Sequence, residues 1–160
     1  MIVYNANLSL AVQNVSDSVQ AVRGLADGVG GMVAGSATRQ EKDKEVATLT
    51  LRVPSSAYNQ VMAGLRKLSV KVLTENGTAR DVTEEFTDVD AQMRNRQGTE
   101  AQFQELMKRA VTIDDILKVQ AQLTQVRGQI ERLKGRMNVL QRTSDMATIV
   151  VTIITVEPGL

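Results

Sequence analysis

Few side chains in this sequence could carry chemistry. The densest carboxylate group is Asp81, Glu84, Glu85, Asp88 and Asp90. Helical spacing would put Glu84 with Asp88, and Asp81 with Glu85, on shared faces where a magnesium or calcium ion could be held. No EF-hand-like loop surrounds them, and acids at a helix start are equally explained by the helix dipole and by pairing with bases. Ser55 and Ser56 follow Pro54. As nucleophiles they need a base that no motif supplies, whereas serine at a helix start is ordinarily a cap. Gly28-Val29-Gly30-Gly31 follows a helical pattern and has Val33 where a dinucleotide fingerprint needs its third glycine, so it reads as a helix stop.

What is missing narrows the field further. The 160 residues include no Cys, His or Trp, and the aromatics are Tyr4, Tyr58, Phe86 and Phe103. Without thiol or imidazole there is no structural zinc site of the usual kinds, no cysteine nucleophile and no Ser-His-Asp triad. So few aromatic rings disfavour sugar stacking and single-strand nucleic-acid binding. A balance of 19 basic against 18 acidic residues offers no field to attract a phosphate backbone. The expectation is therefore not an enzyme, with no cofactor and no nucleic-acid partner. The longest apolar stretch, around Met146 to Val156, is too short to span a bilayer. No signal peptide is expected at Met1.

The elements that must position these residues follow from periodicity. Ile2 to Val12 alternates apolar and polar residues, as in a half-buried strand. Ser16 and Asp17 offer an N-cap to a helix whose apolar face is Val19, Val22, Leu25, Ala26 and Val29 and which stops at Gly30-Gly31. A strand from about Met32 to Thr38, a turn over Gln40 to Glu45 and a strand over Ala47 to Val53 form a hairpin. Pro54 suits the first turn of a second helix carrying Tyr58, Val61, Met62 and Leu65, and a strand through Val70, Val72 and Thr74 reaches Asn76-Gly77. The order βαββαβ predicts an α+β fold with a ferredoxin-like head, two helices on one face of an antiparallel sheet. A last strand, Met146 to Val156, is apolar on both sides, as in a strand with two neighbours.

Between these strands lies long helix-forming sequence without proline. On its second arm Ile116, Val119, Leu123, Val126, Ile130, Leu133, Met137 and Leu140 repeat at alternating spacings of three and four. The same register on the first arm selects Phe86, Val89, Met93, Arg96, Glu100, Phe103, Met107 and Ala110, and one fold-back point near Ile113 aligns every layer. Thr112 can cap the second helix, with Asp115 three residues on, and Asp81 with Glu84 offers a similar start to the first. The acids of residues 81–90 then meet the bases Arg127, Arg132, Lys134, Arg136 and Arg142. Residues 1–80 with 146–160 are thus expected to form an α/β sandwich head. Residues 81–145 are expected to form an antiparallel coiled-coil helical hairpin inserted before the final strand, a stalk of about 40 Å.

Two layers break the apolar rule: Arg96 faces Ile130 and Glu100 faces Val126. Long stems can cover the seam while the charged ends pair or reach water; alternatively, a partner completes a polar layer there. Ala121, Gly128 and Gly135 share one heptad position, with Ala91 and Gly98 at the equivalent one on the first arm. Such a smooth strip permits close helix contact, or is simple flexibility, at about 1 kcal/mol per glycine. Val111 and Ile113 would be exposed apolar residues at the tip.

The N-terminal strand, Leu25 through Gly30-Gly31-Met32-Val33, Leu49-x-Leu51-Arg52-Val53-Pro54 and Asp81-Val82-Thr83-Glu84-Glu85-Phe86-x-Asp88 leading into a hairpin together resemble the bacterial family called domain of unknown function 4349. The resemblance covers nearly the whole chain, with the Arg-Val-Pro and Asp-Val-Thr-Glu-Glu segments its most specific parts. It implies a membrane-anchored or lipoprotein-like extracytoplasmic domain, its anchors outside this sequence, with no established reaction. Where that pattern usually has an apolar residue on the first arm, this chain has Arg96. The expected role is a non-catalytic protein-interaction or scaffold module, binding a protein partner or a second copy through Arg96, Glu100, Val111, Ile113, Ala121, Gly128 and Gly135. It would meet the membrane only through its anchors. The alternatives are a sensory ectodomain of a membrane-anchored, anti-sigma-like envelope-signalling protein, and a divalent-metal-dependent hydrolase using the acidic cluster.

Overall fold

A computed structural model describes residues 1–156; the last four residues of the expected head, 157–160, lie outside the described residues. The fold is α+β, a five-stranded mixed sheet and four helices among the described residues. The chain divides into two compact units, residues 1–81 with 143–160 and residues 82–142.

The first unit holds β1 (Ile2–Val12), α1 (Val15–Gly28), β2 (Met32–Glu41), β3 (Lys44–Pro54), α2 (Tyr58–Leu68), β4 (Lys71–Asp81) and β5 (Met146–Thr155). The strand order is β2-β3-β5-β1-β4. This corrects the ferredoxin-like expectation. That plan sets β1 beside β3 in an antiparallel sheet, but here β5 separates them, parallel to β1 and antiparallel to β3. The order of the first six elements says nothing of where a seventh inserts, and β5, with apolar residues on both faces, suits a place between two neighbours. Leu8, Val151 and Leu49 lie in one rank, and Leu10, Ile153 and Ala47 in the next. All six are buried, with Val22 and Ala26 of α1 and Val61, Met62 and Leu65 of α2 packed against them.

Local signals explain the boundaries, sometimes against the sequence expectation. The N-cap of α1 is Asn14, whose Oδ1 accepts from the Asp17 amide at 2.9 Å, rather than Ser16 or Asp17. The helix stops as expected at the glycines: Gly30 adopts φ +79, and the Gly31 amide donates to the Ala26 carbonyl at 2.8 Å. A Cβ on Gly31 would lie 2.5 Å from the Arg52 carbonyl oxygen, so only glycine lets α1 turn so close to β3. The hairpin turn is only Lys42-Asp43, both at positive φ (50 and 68), the twist a two-residue hairpin prefers. Pro54 ends β3, and a single 3-10 turn, Ser55–Ala57, precedes α2. Ser55 Oγ, instead of capping the turn, donates to the Ser144 carbonyl at 2.6 Å. Finally, β4 runs through Asn76-Gly77 to Asp81 instead of turning there.

The second unit is a helical hairpin. Its first arm is α3 (Thr83–Arg109), and its second belongs to α4 (Ile113–Asp145). Thr112 caps α4 as expected, its Oγ1 accepting from the Asp115 amide at 3.1 Å. Asp81 does not cap α3: Val82 is the cap residue, and Asp81 closes β4 near the terminal amine of Met1 at 4.0 Å. Val89 on α3 and Leu123, Val126 and Ile130 on α4 are buried, with Phe86, Met93, Phe103, Met107, Leu133 and Met137 half-buried beside them. Pairing of Glu100 with Arg127 at 3.0 Å and of Glu85 with Arg136 sets the arms antiparallel. Over nearly the whole length the two helix backbones stay more than 8 Å apart. Long side chains therefore span the seam, in place of tight knobs-into-holes layers.

Candidate functional site

The seam charges behave differently from one another. Glu100 is half-buried and satisfied within the chain by Arg127. Arg96 is exposed and has no ion-pair partner among the described residues. It lines two shallow hollows, one of about 220 Å³ with Phe103, Gln122 and Val126, the other of about 170 Å³ with Gln92, Arg132 and Leu133. Its guanidinium thus sits over a loose apolar seam framed by glutamine amides, a setting open to a carboxylate or carbonyl from outside.

The tip is apolar and wet. Val111 is 89% and Ile113 77% exposed. Sequence reasoning missed two companions, Leu117 at 60% and Leu106 at 50%. They fall outside the seam register, and the signal available was that both lie within about two turns of the fold-back point. A hollow of about 360 Å³ adjoins them, lined by Leu106, Arg109, Ala110, Asp115, Lys118 and Val119. The two helix ends bring opposite charge to it, Lys108 and Arg109 closing α3, Asp114 and Asp115 opening α4.

Of the small residues, Ala121 and Gly135 are exposed and Gly128 half-buried. A Cβ on Gly98 or Gly135 would meet open space, and one on Gly128 only the Arg132 side chain at 3.6 Å. No internal packing requires these glycines.

The acidic cluster disperses. Glu85 goes to Arg136 across the hairpin, Asp90 to Arg94 on its own helix at 3.0 Å, and Asp81 lies in the other unit. Among the described residues no group of three or more carboxylates could hold a metal ion.

Another cluster went unread in the sequence. Tyr4 and Tyr58 stack with ring centroids 4.6 Å apart and 15° between planes. Beneath the Tyr58 hydroxyl lies Gly77, where a Cβ would approach it to 3.0 Å, and alongside runs the Arg66–Glu75 ion pair at 2.6 Å. Burial raises the Tyr58 pKa above the ordinary tyrosine value, reinforced by the Glu75 charge and opposed by Arg66. The phenol stays protonated at neutral pH, closing one edge of the core.

No helix among the described residues is long and apolar enough to cross a membrane. No curated protein matches the chain, and no solved structure does. One family profile matches residues 1–159: the chain belongs to the family described as domain of unknown function, DUF4349.

Proposed function

We propose that this chain is a non-catalytic interaction or scaffold module, working through its helical hairpin and held outside the cytoplasmic membrane by anchors flanking this sequence. The observation that carries the reading is the exposed apolar tip of Leu106, Val111, Ile113 and Leu117, because apolar side chains so grouped and exposed are costly unless a partner covers them. Arg96, without an ion-pair partner among the described residues, and the open glycines of both arms support it. In this reading the hairpin is an antiparallel coiled coil of loose seam.

Sedimentation velocity across low to high micromolar concentration tests the contact. Val111→Asp with Ile113→Asp should abolish association of the chain with itself or with a purified partner, and Gly128→Lys should weaken it, while circular dichroism stays unchanged. A strict monomer at high micromolar concentration, indifferent to Gly128→Lys, would remove self-association. Placement outside the membrane is tested separately, by protease accessibility of the full-length protein in intact cells; protection there would refute it.

A further inference from the structure

A further site lies within the first unit, at the end of the sheet where β5 finishes. On the face turned away from α1 and α2 the middle ranks are polar: Thr48, Thr152, Ser9 and Thr74 in one, Thr50, Val150, Asn7 and Asn76 in the next. At the end where β5 finishes, the same face turns apolar. Val46 pairs with Ile154, which pairs with Ala11, and Val46 and Ala11 are only 3% and 7% exposed. A bulge in β4 is responsible for the outer wall: Ser9 pairs with Thr74 but Leu10 with Val72, so Leu73 is extra and breaks the alternation. Leu73 is 47% exposed, and Val70, tied by its amide to the Ala11 carbonyl at 2.8 Å, is 58% exposed.

These residues form a groove of about 360 Å³ lined by Ala11, Val70, Leu73, Ile154, Thr155 and Val156, with Lys44 at the β3 side and Lys71 at the β4 side. The distance between those strands, three interstrand steps, is about 14 Å. Among the described residues no carboxylate lines the groove, and Lys71 has no ion pair. An apolar trough with the Lys71 ammonium at one end complements one chemistry: an apolar chain carrying an anionic head. We infer that this groove binds a single-chain anionic amphiphile, of which an acyl carboxylate is the simplest, its chain along Ala11, Ile154 and Leu73 and its head against Lys71.

The test uses the whole chain and sodium decanoate below its micellar concentration, followed by isothermal titration calorimetry. One saturable site is expected. Lys71→Glu should weaken it about five-fold or more, and Leu73→Asp should remove it. Decyltrimethylammonium, the same chain with a cationic head, should not saturate the site. Lys71 is exposed and outside every ion pair among the described residues, so its variant tests the charge even if Leu73→Asp fails to fold. The inference is overturned by absence of saturable binding, by equal binding of the cationic amphiphile, or by indifference to Lys71→Glu. It is equally overturned if the chain binds anionic vesicles but not the monomeric amphiphile, which would make the end of the sheet a membrane-docking surface. Binding that appears only when residues 157–160 are removed would make that segment the occupant.

Discussion

Glycine means opposite things at two places in this chain. At Gly31 a methyl group would collide with the Arg52 carbonyl at 2.5 Å. Gly31→Ala should therefore cost about 2–3 kcal/mol in urea denaturation. At Gly98 the space is open, so Gly98→Ala should raise stability by about 1 kcal/mol through helix propensity alone. If a partner packs on that strip, the gain in stability will come with lost association. Tyr58 gives a second residue-scale expectation. Its proton is held to higher pH in the folded chain than in the unfolded one, so its contribution is complete below the ordinary tyrosine range and is lost as pH rises through the folded value. Stability measured at about pH 8 and about pH 11 should fall less in Tyr58→Phe than in the parent chain.

Elements were legible where one face decides the pattern. The alternation over β1 and β3 and the helical seam of α4 come directly from local periodicity, and Thr112 announces its cap by type and position. What local pattern cannot carry is register. Asn76-Gly77 looks like a turn because that dipeptide suits positive φ, yet the chain stays extended there. The glycine instead makes room for the Tyr58 hydroxyl, a contact from a distant helix. The Leu73 bulge is invisible for the same reason: only its pairing with β1 reveals the extra residue. Of the proposed interaction residues, the tip and Arg96 are readable by type, but that Glu100 is answered by Arg127, while Arg96 has no ion-pair partner among the described residues, shows only in the structure. Two changes act at this scale. Thr112→Ala should cost about 1 kcal/mol, seen as faster amide exchange over the first turn of α4. Arg96→Leu should stabilise the hairpin by about 1 kcal/mol through added apolar burial, checked by denaturation, and should reduce partner binding.

For the whole molecule, the two units differ in how completely they bury themselves. The first has an unbroken core from Leu8 and Leu10 through Leu49, Leu51, Ile149 and Ile153, whereas the hairpin buries a seam that is half open. Hydrogen exchange should find the slowest amides in β1, β3 and β5, with residues 82–142 opening at lower free energy. Leu49→Ala should cost about 3 kcal/mol, registered throughout the sheet. The central place of β5 carries a further consequence, for biosynthesis. Until Met146 to Thr155 leave the ribosome, β1 and β3 have no partner between them, and both present unsatisfied edges. The hairpin, whose contacts are local, can close first, shortening the gap that the last strand must cross. The sheet is thus completed last and from within, and a ribosome stalled inside the hairpin would hold a sticky nascent chain that chaperones must shield.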